Sequence, residues 1–498
     1  MAKLLFDHIV VLMLENRSFD HLFGHLGKGD GLTQDAVNYL KAGDQSSQAF
    51  RTGRGGDFTA AGDGPSHSLK QTNEQLFGVT KPTAEQSAAT PPLSGFVASF
   101  NTSFTADQKR KPTQTELQQV MNVFDPEQLP VLSTLAREFV LCDRWFADVP
   151  GPTMPNRAFV HAATSQGYTY NADWKPKFTC KTLYDRINAS GGARSWRVYS
   201  HDNDDVLELY PDLQKDPTNH VNFETNFVQD VAGDNLPTYS FIVPAFFHSA
   251  QHPINSMHAP ADVRPAEKLV ADVYGALQAN PDVWKKTLLI VLFDEHGGYY
   301  DHVPPPATVS PDGIAGRMDK PFLVPFDFQR LGLRVPAILV SPWFKAGVDS
   351  TVYSHSTIVG SVIEAFGLGD FLTKRDKQAN KLTKRYLTRQ PGQTWRSDVP
   401  TLVPPPQPRL LSDLQQELLA GSVNLDPYSK NRNMLRTHDI IDQGQAKAFV
   451  RTQNTKRLEH YFATKRMPKK TAKQPWAENQ PATPTFSPAR IAELRESV

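Results

Sequence analysis

Cysteine is nearly missing from this chain: Cys142 and Cys180 are the only two among 498 residues. Two cysteines cannot build a disulfide framework, and their spacing fits no zinc module. Both read as buried thiols or spectators, which argues against redox chemistry. Long apolar runs are missing as well. Nothing approaches the ~20 residues that a membrane-spanning helix needs, so no transmembrane segment is expected. The first apolar run, residues 9–14, ends in Glu15-Asn16 with no small-residue cleavage site after it. It therefore reads as structure rather than a leader, and predicts a protein that is cytoplasmic or exported without a cleavable signal peptide. A net charge of +1 gives no reason to expect a nucleic-acid partner.

With 39% hydrophobic and 21% charged residues, the composition suits a soluble globular protein. The length predicts a large domain over 1–405 with long loop insertions, followed by a C-terminal helical, basic and Pro-rich appendage over 406–498. Residues 446–473 hold nine Lys/Arg against one Glu, interleaved with Phe449, Leu458, Tyr461 and Phe462. This run reads first as a solvated helix and tail. It also has the form of a basic amphipathic helix able to lie on anionic lipid, so peripheral membrane contact is a second reading.

Residues 43–64 are rich in Gly, Ser, Ala and Asp without helical or strand period, which predicts a long inserted loop. Helical signals fall at 127–137 and at 262–277, where Asp262 can cap and Leu269, Val270, Val273 and Leu277 form an apolar stripe. Residues 239–243 and 336–340 read as strands, 374–396 with 403–409 as a linker, and 410–419 as a short helix. Strands alternating with helices predict a three-layer α/β/α sandwich on a mostly parallel sheet.

The chemistry concentrates where apolar runs stop. Residues 9–14 run into Glu15-Asn16, and residues 288–293 run into Asp294-Glu295. Ligands in open α/β sheets gather beyond the carboxyl ends of strands. Either pair alone reads as the start of a polar loop, but the two together predict four oxygen ligands for one divalent cation. Carboxylate and amide oxygens suit Ca, Mg or Mn, and Zn becomes possible if histidines join. The turn Pro150-Gly151-Pro152-Thr153-Met154-Pro155-Asn156-Arg157 holds one hydroxyl, making Thr153 the candidate nucleophile. Contact with a cation would lower its pKa and add it to the ligand set. His67, His201 and His258 stand in polar loop contexts suited to proton transfer. His302, seven residues beyond Glu295, is a candidate to support the same pocket or a structural hydrogen-bonding residue. His296 and His355 read as structural.

At these motifs the sequence resembles the phosphoesterase family of bacterial phospholipases C, plant non-specific phospholipase C and a related acid phosphatase. Glu15-Asn16-Arg17-Ser18-Phe19-Asp20-His21 looks like the family's opening motif. Residues 152–157 look like its nucleophile turn, and Asp294-Glu295-His296-Gly297-Gly298-Tyr299-Tyr300-Asp301-His302 like its second metal segment. The likeness implies an alkaline-phosphatase-like fold, metal at Glu15, Asn16, Asp294 and Glu295, Thr153 as nucleophile, and His67, His201 and His258 around the phosphate. The family's histidine-proline-proline motif appears here as His258-Ala259-Pro260, with His252-Pro253 competing six residues earlier; His258 fits the layout better. The resemblance implies a phospholipase C cutting phosphatidylcholine-type glycerophospholipids to diacylglycerol through a phosphothreonine. An acid phosphatase acting on soluble monoesters is the alternative, and a non-catalytic lipid or phosphate binder is the reading from a different class.

Overall fold

The computed structural model describes residues 4–407 apart from 35, 172–177, 203, 216 and 248–251. The readings at 410–419 and 446–473, and the appendage as a whole, lie outside the described residues. Eight strands form the main sheet: β1 (His8–Leu14), β2 (Val140–Cys142), β3 (Trp196–Ser200), β4 (His220–Asn222), β5 (Tyr239–Val243), β6 (Thr287–Phe293), β7 (Ala337–Val340) and β8 (Gly347–Asp349). Their order is β8-β2-β7-β6-β1-β5-β3-β4. Pairing is parallel except at β7, which runs antiparallel to both β6 and β2.

The central pair explains itself. Every residue of β6 is buried, as is every residue of β1 after His8, so these strands need continuous apolar runs rather than alternation. Each such Leu, Ile or Val contributes roughly 1.5–3 kcal/mol relative to an exposed position. Helices α1 (Phe19–Phe23), α2 (Leu69–Phe77), α3 (Pro130–Glu138), α4 (Thr153–Ala162), α5 (Phe223–Ala232), α6 (Arg264–Ala279) and α7 (Ser356–Phe366) include the two groups that complete the sandwich. In one group α6 packs against α3 and α5; in the other α4 packs against α7. Glu267 of α6 caps α3 from a distance, accepting from Val131 N at 2.7 Å and Leu132 N at 3.0 Å. Burial pushes its carboxyl up to about 8.

The expected strand at 239–243 forms with those bounds, and the helices start two to three residues late, at Arg264 and Pro130. Two expectations hold only in part. Residues 43–64 are mainly loop, but Ala49–Arg51 pairs with Val37–Tyr39, and Gly53–Arg54 with Asn122–Val123. Strands of two or three residues are too short to show a period. Residues 374–396 are not wholly a linker either, because Lys374–Gln378 is helical and Arg375, Tyr386 and Leu387 are buried. Arg375 is a core residue because Asp148 Oδ1, at 2.7 Å, and the carbonyls of Val309 and Phe328, both at 2.6 Å, satisfy its guanidinium. Both cysteines are free, Cys142 being buried and Cys180 half-buried. Burial pushes the Cys180 thiol up to about 12. Among the described residues no helix is long and apolar enough to cross a membrane.

Removing one member of a buried ion pair typically costs about 3–5 kcal/mol. Arg375→Ala is therefore expected to lower the melting temperature markedly. Lys377→Ala, three-dimensionally exposed two residues on, should change stability by under about 0.5 kcal/mol. Equal melting temperatures for the two variants would mean that this segment does not belong to the cooperative fold.

Candidate active site

The β1–β6 register brings the two acidic pairs together, because Leu14 lies opposite Phe293 and the next residue of each strand is Glu15 or Asp294. Asn16 then turns into the left-handed region at φ 52, where asparagine is tolerated better than most residues. That turn lets its backbone N–H donate to Asp294 Oδ1 at 3.0 Å. The same oxygen accepts from Glu295 N at 2.7 Å, and Glu295 Oε2 accepts from Gly297 N at 2.7 Å. Gly297 is required: at φ 66, a Cβ there would sit 2.1 Å from the Asn16 carbonyl oxygen.

Thr153 is the first residue of α4, placed by a turn that Asn156 ties down. The Asn156 side chain accepts from Val149 N and donates to the carbonyls of Val149, Gly151 and Pro152 at 3.0–3.1 Å. Thr153 Oγ1 lies 3.3 Å from Glu15 Oε2. One helical turn on, Arg157 donates to the other oxygen, Glu15 Oε1, from Nε at 2.8 Å and from a terminal nitrogen at 2.5 Å. It also donates to Asp205 Oδ2 at 2.9 Å and approaches Asp294 Oδ2 at 3.8 Å. Arg157 thus saturates one face of Glu15 and leaves the oxygen that faces the hydroxyl.

His67 and His258 join this cluster, their rings 6.0 Å apart. His67 Nδ1 lies 3.0 Å from the Pro65 carbonyl, and His258 Nδ1 bonds the Ala259 carbonyl. Since a carbonyl can only accept, Nδ1 carries the proton in each, and Nε2 is left as the acceptor. His67 Nε2 lies 3.1 Å from Asn16 Nδ2 and 3.5 Å from Glu295 Oε1. Burial lowers the pKa of both rings. His201 bonds the Val243 carbonyl through Nδ1 at 2.9 Å in the same way, but its further contacts run to Phe223 and Glu224.

His302 is bound elsewhere. Its Nδ1 meets Asp20 Oδ2 at 2.6 Å, in a network where Arg334 donates to Asp20 Oδ1 and Asp301 Oδ1, both at 2.9 Å. Asp20, Asp301 and His302 are the one trio of acid or histidine ligands among the described residues whose atoms lie within 4.8 Å of one another. Arg334 already supplies the cation there, and both Asp20 oxygens accept hydrogen bonds. The wider cluster at Glu15 is different. Asn16 Oδ1, Asp294 Oδ2 and Glu295 Oε1 are buried with no hydrogen-bond partner, an expensive state for oxygens unless a cation meets them. Burial, then the carboxylates of Glu15 and Glu295, push the Asp294 carboxyl well up, and burial pushes Glu295 up to about 7. The donor set therefore fits a hard divalent cation.

Sequence reasoning left two supporting residues without a role and read two more, His296 and His355, only as structural. Arg157 and Asn156 lie inside the quoted turn, at helical spacing from Thr153, and that spacing was their one signal. His355 meets the Asp294 carbonyl oxygen through Nε2 at 2.6 Å. His296, which burial lowers to about 3, meets Gln75 Oε1 at 2.7 Å, and Gln75 Nε2 donates to the Ser66 carbonyl beside His67.

A hydroxyl at a helix N-terminus, bonded to one acid of a cluster that holds unpartnered carboxylate oxygens and two imidazoles at a sheet's carboxyl edge, is the anatomy of a phosphoric ester hydrolase. The model of the Phosphoesterase family matches residues 6–369, and the chain belongs to that family. Non-specific phospholipase C5 of Arabidopsis thaliana is 34% identical over 462 residues, covering 86% of this chain and 84% of that protein. Non-specific phospholipase C1 of the same plant is 35% identical, covering 80% and 73%. The non-hemolytic phospholipase C of Pseudomonas aeruginosa is 27% identical, covering 73% and 54%. Among solved structures, an alkaline phosphatase superfamily protein from Vibrio parahaemolyticus matches at TM-score 0.30 and 11% identity, over 51% of this chain and 64% of that one.

Carboxyls raised in the folded state hold protons that the unfolded chain has already released. Without a cation they weaken the fold as pH rises from the ordinary 4.5 of a glutamate to about 7. A bound cation competes with those protons. Added divalent metal should therefore raise the melting temperature of cation-stripped protein more at pH 8 than at pH 5.5. An equal rise at both pH values would exclude these carboxyls as the ligands.

Proposed function

We propose that the chain is a metal-dependent phospholipase C that hydrolyses phosphatidylcholine-type glycerophospholipids to diacylglycerol and a phosphorylated head group through a phosphothreonine. The observation that carries the reading is the 3.3 Å approach of Thr153 Oγ1 to Glu15 Oε2 at the start of α4, with Glu15 held from behind by Arg157. Held by Glu15, Asn16, Asp294 and Glu295 with Thr153 as a further ligand, a divalent cation would supply Lewis acidity to a phosphoryl oxygen and lower the pKa of the hydroxyl. Thr153, the first residue of the ten-residue α4, stands at the positive end of the helix dipole, which favours an anion there.

Thr153, its hydroxyl proton released to solvent before the attack, uses Oγ to attack phosphorus in line, forming the P–Oγ bond as the bond to the glycerol oxygen breaks, and it leaves as the same alkoxide in the second step. His258 or His67, protonated at Nε2, gives that proton to the leaving oxygen; His201 completes the proposed histidine set. The neutral imidazole then takes a proton from water, which attacks phosphorus and releases Thr153. The substrate choice is supported by the phospholipase C relatives at 34–35% identity. Soluble phosphomonoesters remain the alternative within the same chemistry.

Thr153→Ala should abolish turnover, a loss of about 10³-fold or more, with an unchanged melting temperature. Thr153→Ser should keep measurable activity and trap a phosphoserine on acid quench. Wild-type turnover in the alanine variant at the same metal loading would remove Thr153 as nucleophile. Diacylglycerol released from phosphatidylcholine vesicles, compared with phosphate from a soluble nitrophenyl monoester, decides between the two substrate classes.

A further inference from the structure

We propose that the loop carrying Ile314, Met318 and Phe322 is a docking surface that seats the catalytic pocket on a zwitterionic phospholipid bilayer. The inference rests on the phospholipase reading above. These three residues are 45%, 55% and 58% exposed within nine positions of one loop, and large apolar residues concentrated on an exposed segment suit an interaction surface.

The loop is held in place. Arg317 N donates to Gly167 O at 2.8 Å and Gly316 N to Phe326 O at 2.7 Å, while Leu323 and Val324 are buried behind the tip. A pinned base with an apolar tip outward is a surface built to be covered. Half-buried tyrosines rim it: the Arg317 guanidinium lies 3.8 Å over the Tyr168 ring, and the Tyr170 ring meets Phe322 edge-on at 6.0 Å. Tyrosines suit the headgroup level of a membrane, with an apolar body and a polar tip.

Charge selects the kind of surface. Within residues 311–322 Asp312 and Asp319 balance Arg317 and Lys320, so the loop has no net preference for anionic lipid, and a neutral headgroup layer is its complement. Position then links docking to catalysis. The segment behind the loop reaches the nucleophile turn: Asn171 Oδ1 accepts from Met154 N at 2.9 Å, and a Cβ on Gly316 would lie 3.3 Å from Thr169 Cγ2. Phe247, 58% exposed, follows Phe246, whose ring centre lies 5.0 Å from the Arg157 guanidinium carbon. Exposed apolar groups thus approach the pocket from two separate segments.

The test combines Ile314→Asp, Met318→Asp and Phe322→Asp in the full chain and measures flotation with phosphatidylcholine vesicles. Partition should fall roughly tenfold or more, with vesicle hydrolysis falling in parallel. Hydrolysis of a monomeric short-chain phosphatidylcholine below its micelle threshold should stay within about twofold, because the pocket is untouched. Phe322→Asp alone repeats the measurement if the triple variant does not fold. Unchanged partition, an equal loss on monomer, or a wild-type dimer that the variant dissociates would each overturn the docking surface. If neither protein cleaves phosphatidylcholine in any form yet partition still falls, the phospholipase reading fails and the docking surface stands.

Discussion

A fully buried guanidinium holds the site together. Arg157 is fully buried on the first turns of α4 and donates to Glu15, at the end of β1, and to Asp205. Burying a charge costs more than its pair returns unless the geometry is close and every donor is used. Here Nε, both terminal nitrogens and the Met13 carbonyl are engaged. The result locks the helix that carries Thr153 to the strand that runs into Glu15. The 3.3 Å spacing between Thr153 and Glu15 is thus enforced by a contact four residues away from the hydroxyl.

The same device appears a second time with a different outcome. Arg334 is as buried as Arg157 and neutralises Asp20 and Asp301, with His302 closing the network. Burial pushes Asp301 up to about 6, against the pull of Arg334. Both networks draw on acids that follow strands β1 and β6 along the chain, yet among the described residues of the two only the Glu15 cluster leaves carboxylate oxygens unpartnered. Compactness therefore does not identify a cation site. The tighter trio of Asp20, Asp301 and His302 is complete as it stands, and the looser one around Asp294 is not.

This contrast also marks what can be read from a sequence. The runs at 9–14 and 288–293 announce buried strands because a fully covered strand has no polar positions to interrupt it, and acids directly after them are conspicuous. Thr153 stands out in a proline turn, and His258 sits where its loop meets the cluster. Arginine is harder to place. Arg157, Arg334 and Arg375 look like surface residues by type, and each becomes a core residue only through an acid distant along the chain: Asp205, Asp20 and Asp148. Residues 374–396 read as linker for that reason. The reversed direction of β7 was equally invisible, since four buried apolar residues look the same in either orientation.

Charge balance ties the site to its substrate. Glu15, Asp205, Asp294 and Glu295 are buried carboxyls, and Arg157 is the one guanidinium bonded among them; Arg17 is engaged instead with the Met257 carbonyl and the Tyr299 ring. If all four carboxyls were ionised, the pocket would carry three negative charges in excess and would repel a phosphate. Raised pKa values at Asp294, Glu295 and Asp205 are the protein's answer when only protons are at hand. Protons, however, occupy the oxygens that must face the substrate, and they leave Thr153 no more acidic than before. A divalent cation held by these acids would offset two charges at once, keep the carboxylates ionised and supply a positive centre beside the hydroxyl. An excess of acid over arginine at this one sheet edge is thus what the proposed reading needs: a site for an anionic ester that would recruit its own counter-charge.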